Sequence, residues 1–439
     1  MKPDVVPTHR PVRLAYLVSH PIQYQAPLLR RLAQEPDIDL TVLFGSDFSL
    51  RAHKDPGFGV DVAWDVPLLA GYTSEFLPAL RDNGTVSATS PISRGIYSRL
   101  KRGNFDALWV HGYASVNALQ AILSAKRLGI PVLLRAEGWM GDRPRAGWKL
   151  AAKSIFFRAL QPFIAAVLPI GHLNAAYWSH YLPATPQFPV PYAVDNAWFA
   201  ARAQAATPHL ATLRTELHLP PERPVILFAS KLQPRKHADH LLEAFAALLC
   251  ETSPTSASSA FSFASKPCLV IVGDGEERQR LERQAAVLNL SDDVRFAGFR
   301  NQTELPAFFR LASVFVLPSR HEPWGLIVNE AMACGCPVIV STDVGSHADL
   351  VTDGMQGFVY PAGDIPALTA ALHRVFATPT AAATMGAAAK QRMETWSFNE
   401  DIQGLRSALD CIVRLAPKAR PYTSPGPRPG LGHKRDPKG

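Results

Sequence analysis

Short apolar runs, each closed by glycine, proline or serine and followed by a helical stretch, recur along the chain, and the pattern restarts near residue 224. In the first half the runs are RLAYLVS (13–19), IDLTVLF (38–44), FDALWVHGY (105–113), GIPVLLRAEG (129–138) and AAVLPIG (165–171). In the second they are PVILFAS (224–230), CLVIVGDG (268–275), VRFAGF (294–299), VFVLPS (314–319), CPVIVST (336–342) and GFVYPAG (357–363). Runs this short without polar alternation suit strands buried on both faces, which is the pattern of parallel sheets covered by helices. The expected architecture is α/β: two Rossmann-like, doubly wound parallel sheets in tandem. Residues 1–200 form the first domain and 201–395 the second, with the junction in the proline-punctuated stretch between about 192 and 222. A helix at about 396–415 is expected to cross back onto the first domain. Sheets of this kind bind ligands beyond the carboxyl ends of their strands, so the cleft between the domains is the natural site.

Not every segment carries the pattern. Residues 45–95 are rich in Gly, Pro, Ser and Asp and hold few periodic runs, and 252–266 (TSPTSASSAFSFASK) reads as a long exposed insertion. The 416–439 tail is Pro/Gly-rich and basic, the composition of a disordered segment. Residues 412–439 carry +6 of the formal net charge of +8, which leaves a nearly neutral body with a basic first half and a slightly acidic second half. That distribution argues against a folded nucleic-acid-binding face, while a basic first half permits contact with an anionic membrane surface. No stretch reaches the length needed to span a bilayer, and MKPDVVPTHRPVR lacks the apolar core of a signal peptide. The five scattered cysteines (Cys250, Cys268, Cys334, Cys336, Cys411) read as reduced, buried thiols, and a cytoplasmic location follows, extending to the inner face of the membrane. Cys334 and Cys336 lack a second pair at zinc spacing, and no Asp-x-Asp motif sits at a suitable strand end, so no metal is expected.

The strongest local signal is HEPWGLIVNE, 321–330. It follows a strand directly and opens a helix. The amides of Gly325, Leu326 and Ile327 are the free N–H groups of a new helix, an arrangement that binds phosphate. Glu322 and Glu330 lie roughly 8–12 Å apart along the axis at about 1.5 Å per residue. That spacing is poor for an acid/base pair on one bond, and it suits two acceptors gripping separate hydroxyl pairs on an elongated ligand. Taken alone, the two carboxylates read better as a helix-dipole charge and a solvated face.

The E-x7-E spacing with E-P-x-G-L at its start resembles the signature of family 4 glycosyltransferases, retaining enzymes of the GT-B fold. FASKLQPRKH (228–237) resembles the family's basic loop, with Lys231 and Lys236 on its two basic positions and Arg235 adjacent. AMACGCPVIVSTDVGSHADLV resembles the segment after the glutamate motif, and PIGHLNAAYW and VPYAVDNAWF the interdomain segment. The resemblance covers nearly all of 10–411 and is strongest over 224–363. It implies a nucleotide diphosphate sugar as donor, with Lys231 and Lys236 neutralising the departing diphosphate. It also implies that Glu330 holds the ribose hydroxyls, Glu322 the hydroxyls of the transferred sugar, and the backbone at Gly298 and Phe299 the base. His111, after the strand ALWV, would reach the donor sugar across the cleft. Arg135 and Glu137 are weaker candidates, with a structural ion pair as the equal alternative, and Asp349 is a supporting residue. The loop after the first strand departs from the family's glycine-rich turn: His20, Gln23 and Tyr24 offer side chains instead.

The implied partners are a nucleotide-sugar donor and a glycan or lipid-linked acceptor, with no nucleic acid. Two rivals stand beside the transferase. A sugar-nucleotide epimerase of the same fold would need no acceptor. A non-enzymatic basic binder would carry its charge on a folded face with interleaved aromatics.

Overall fold

In the computed structural model the described residues are 10–55, 57–251, 266–378 and 380–415. The insertion expected at 252–266 (apart from Lys266) and the basic tail at 416–439 lie outside them. The first domain holds β1 (Val12–Val18), β2 (Ile38–Phe44), β3 (Thr73–Phe76), β4 (Ala107–His111), β5 (Val132–Arg135) and β6 (Ala166–Val167). They form one parallel sheet in the order β6-β5-β4-β1-β2-β3. The second domain holds β7 (Val225–Ala229), β8 (Cys268–Val272), β9 (Val294–Gly298), β10 (Val314–Leu317), β11 (Val338–Ser341) and β12 (Gly357–Tyr360). Their order, β9-β8-β7-β10-β11-β12, repeats that of the first sheet read from its other edge. In each sheet the winding reverses between the first and fourth strands, and a crevice opens there at the carboxyl ends.

Successive side chains of a strand point to opposite faces, so each run fills two cores. From β1, Ala15 and Leu17 join Ala118, Ile122 and Phe157. Leu14, Tyr16 and Val18 join Ile402, Leu405, Leu409 and Ile412 of the last helix, Phe398–Leu415. That helix is amphipathic at helical spacing, and its apolar stripe shares one face of the first sheet with Leu28, Leu29 and Leu32 of helix Ala26–Leu32. In the second domain Ile226 and Phe228 pack on Leu241 and Phe245 of helix Ala238–Glu251. Val225, Leu227 and Ala229 meet Phe309, Val328 and Met332 on the other face. Phe199, on helix Asn196–Ala206, is buried in that same core, so this helix packs with the second sheet.

Two expectations need correction. β3 comes from the stretch read as having few periodic runs; it is an edge strand whose side chains are mostly exposed, so no burial pattern marks it. The five thiols are unpaired, but only Cys268 and Cys336 are buried; Cys334 and Cys411 are half-buried, and Cys250 is exposed on its helix. No described helix is long and apolar enough to cross a membrane.

Candidate active site

The crevices of the two sheets face each other and merge into one cleft with two chambers. The larger, about 630 Å³, is lined from the second domain by Lys231, Arg235, Lys236, Phe299, Glu322, Gly325, Leu326, Ile327 and Glu330. The first domain supplies His20, Gln23 and Tyr24. The smaller chamber, about 490 Å³, is lined by His111, Glu137, Asp142, Arg143 and Arg145, with Pro323 on its far side. His20 and Ile22 line both. Of the residues singled out from the sequence as site candidates, Gly298, Arg135 and Asp349 line neither chamber; for Gly298 the reason is local. Its carbonyl accepts from the amide of Gly273, and Phe299 is the wall residue.

The cations converge because their loop leaves β7 directly into the cleft. Lys236 is buried on a short 3-10 turn, and its ammonium meets the carboxylate of Glu322, which also accepts from Arg235 at 2.9 Å. Burial alone would raise Glu322, but Lys236 and Arg235 outweigh it and hold the carboxyl below its usual range. Burial pulls the Lys236 ammonium down, with Glu322 opposing. Gly325 precedes helix Leu326–Ala333 with φ +87°, a conformation that costs glycine nothing and turns the first helical amides toward the chamber.

Glu330 is a different case. It lies in that helix with 9 % of its surface exposed, and burial pushes its carboxyl up to about 8. In the unfolded chain it ionises near 4.5. The folded protein therefore loses stability as pH rises between those two values, by about 1.4 kcal/mol per pH unit. Glu330→Gln should remove that loss. Denaturant titrations should show the variant gaining on the wild type from about pH 5 to about pH 8 and levelling beyond.

In the first domain His111 is held neutral, pushed down to about 3 by burial and by the positive charge of Arg135. A neutral imidazole is a hydrogen-bonding group, and its Nε2 lies 3.4 Å from both Gln25 Nε2 and the Tyr192 hydroxyl. Glu137 accepts from Tyr192 at 2.6 Å and Tyr24 at 3.2 Å. The ion pair allowed between Arg135 and Glu137 is not formed: Arg135 turns the other way and donates to Asp401 at 3.2 Å and to the carbonyls of Val190 and Pro191. Asp349 accepts from the backbone amide of His172 at 3.1 Å, outside both chambers.

Sequence reasoning missed Asp55, Phe58 and Trp64, all from the stretch with few periodic runs, and all line the larger chamber. Asp55 reaches across the cleft to Lys231, 2.7 and 2.8 Å from its ammonium. Phe58 meets Phe299 edge-on at 4.8 Å. Gly57 lies so close to Lys231 that a Cβ would sit 2.5 Å from its Cδ. The one weak signal was Asp-x-Gly, an Asx turn in which Asp55 caps the Gly57 amide at 2.7 Å. The Asp55 carboxylate occupies the cation a phosphate would need. Asp55→Asn keeps the cap and removes the competition, so a nucleoside diphosphate should bind on the order of three- to tenfold tighter. Titration calorimetry decides this, and unchanged affinity removes Asp55 from the site.

Sequence reasoning also passed over His237, Asp239 and His240, whose ligand atoms lie within 4.8 Å of one another beside Lys236. Among the described residues they are the one group with such convergence, and Arg280 already pairs with Asp239 at 3.1 Å.

Comparison with known proteins agrees with this geometry. Residues 211–392 match the family described as "Glycosyl transferases group 1". A D-inositol 3-phosphate glycosyltransferase of Streptomyces bingchenggensis is 36% identical over 191 residues, 43% of this chain and 41% of that one. The match thus spans about two-fifths of the length of that relative. A D-inositol 3-phosphate glycosyltransferase of Salinispora arenicola is 27% identical over 402 residues, 87% of this chain and 85% of its own. Among solved structures, HepE of Anabaena in complex with UDP superposes with a TM-score of 0.65 at 15% identity, covering 91% of this chain and 100% of that one. Residues 211–392 are therefore similar to the glycosyl transferases group 1 family, within a two-sheet molecule of the GT-B fold.

Proposed function

We propose that this protein is a retaining, metal-independent glycosyltransferase that moves a hexose from a nucleotide diphosphate sugar to a hydroxyl of a glycan or lipid-linked acceptor. The observation that carries the reading is the convergence in one chamber of Lys231, Arg235 and Lys236 with a helix N-terminus and two glutamates of opposite character. The cations and the helix amides meet the diphosphate, whose charge grows as the glycosidic bond breaks. Glu322 is kept ionised to accept sugar hydroxyls, and Glu330, at the inner end, accepts those of the ribose. The neighbouring structure, solved in complex with UDP, supports a nucleoside diphosphate as the kind of ligand. A relative named GDP-mannose-dependent phosphatidylinositol monomannoside mannosyltransferase, 32% identical over 185 residues, supports a lipid-linked acceptor. The acceptor enters from the smaller chamber and attacks on the face the leaving group departs from. Catalysis is positioning plus charge stabilisation.

The test is thermal-shift binding of UDP, GDP, ADP and their sugar conjugates, first with a chelator and then with divalent metal. A ligand bound only by the folded state must raise its melting temperature. One base should give a clear shift without metal, and Glu330→Ala should abolish it. No shift with any nucleotide in folded protein would end the transferase reading.

A further inference from the structure

Most of helix Gly147–Leu160 is exposed. Only Phe157 and Leu160 are buried, while Trp148 is 71 % and Ile155 70 % exposed. At helical spacing, Trp148, Ala151, Ala152, Ile155 and Ala159 fall within about 100° of one another. All five are exposed, so they form a continuous apolar face turned away from the domain. Phe157 lies on the opposite side and anchors the helix in the first domain's core.

The surroundings of this face are basic. Between 143 and 160 the chain has five Lys or Arg residues and no Asp or Glu. Arg143 is 67 % exposed at its side chain, and Lys149 and Arg158 are exposed on the two flanks of the stripe. Apolar residues including Trp on one helix face, with cations beside them, are the arrangement that lies in the interface of an anionic bilayer. A second copy seated on this face would set the same cations against each other, so charge complementarity favours lipid phosphates.

Position in the fold gives the contact a use. The helix continues directly from 138–145, and Gly138, Asp142, Arg143 and Arg145 line the smaller chamber opposite Pro323. Met140, 49 % exposed, lies in the same segment. We propose that the Trp148–Ile155 face docks the enzyme on an anionic lipid surface, which turns the smaller chamber toward the membrane and admits the hydroxyl of a lipid-anchored acceptor. The lipid-docking step stands by itself; its link to an acceptor rests on the transferase reading.

The experiment is co-sedimentation of the full chain with vesicles of phosphatidylcholine alone and of phosphatidylcholine mixed with phosphatidylglycerol. The wild type should partition onto the anionic vesicles and much less onto the neutral ones. The double variant Trp148→Ala/Ile155→Ala, which touches only exposed side chains, should lose on the order of tenfold or more in partition. Its nucleotide thermal shift should not change. Wild type left in the supernatant overturns the proposal. So does a double variant that partitions like wild type, which would put any binding on the basic 416–439 tail. A solution dimer that the double variant dissociates would assign the face to a second copy. Vesicle binding without any nucleotide shift would leave the docking face standing and end the transferase reading; the reverse result would do the opposite.

Discussion

Replacing Lys236 by alanine should lower turnover on the order of a hundred- to a thousandfold, with far less change in the donor's apparent affinity. The ammonium is buried at the mouth of a strand and paired with a carboxylate in the cleft. A fixed charge in a place poor in water interacts strongly with charge that develops during the reaction, and such a donor typically contributes about 3–4 kcal/mol. The diphosphate oxygen gains charge as the sugar departs, so the loss belongs in kcat more than in KM. Arg235 remains 2.9 Å from Glu322 in the variant, so that carboxylate keeps a partner and the fold should survive, which a melting curve checks. Lys236→Arg keeps the charge but not the compact head, and should recover only part of the rate. Equal kcat values for wild type and Lys236→Ala, measured with the nucleotide sugar that gives the largest thermal shift, would remove Lys236 from the reaction.

Above about pH 7, where Asp401 is ionised, Arg135→Ala should cost about 3–5 kcal/mol of folding stability, the range for breaking a buried charged pair, and less below it. The guanidinium is 2 % exposed and lies 4.5 Å from the centre of the Tyr192 ring. It satisfies two backbone carbonyls of the interdomain segment and Asp401 of the last helix together. Burial pushes the Asp401 carboxyl up to about 7, even though Arg135 pulls the other way. Without Arg135 the carboxyl rises further. Folded Asp401 is protonated below about 7 in both proteins, so their stability difference should be flat there. Above that pH the wild-type carboxyl ionises and the variant's resists, so the difference should widen as pH rises. Denaturant melts at about pH 6 and about pH 9 check both parts. A small, pH-independent loss would show that the tie between last helix and first sheet lies in the apolar stripe alone.

The same two residues show how far the sequence could be read. The place of Lys236 in the cleft was recoverable because it is set locally. It sits a few residues after a strand, next to Arg235 and Lys231, and a strand-end loop with three cations has few purposes in a sheet whose cleft lies at that end. Glu322, Glu330 and the helix start at 325–327 were recoverable for the same reason: strand, turn and helix are contiguous, so their spacing is already geometry. Arg135 was not. Its partner lies 266 residues away, and the choice between Glu137 and Asp401 depends on which face of the sheet the last helix covers. Asp55 was equally hidden, since 176 residues separate it from Lys231 and its segment has no periodic pattern to place it. The edge strand Thr73–Phe76 escaped because a strand exposed on most of its side chains shows no alternation to detect.

What the sequence determined by itself is the pair of wound sheets and the second domain's half of the cleft. Both follow from short-range rules: apolar runs buried on two faces must pair in parallel, and ligands gather where the strands end. The tertiary structure alone decided which groups face those cations across the cleft and which acids are neutral. It also decided which helix face is left to solvent. Asp55 meets Lys231, Glu330 is pushed up by burial, and the Trp148–Ile155 stripe points outward, because each depends on how distant surfaces are brought together and how much water they exclude. Burial and long-range pairing set charge states and exposed faces, and neither is a property of spacing along the chain.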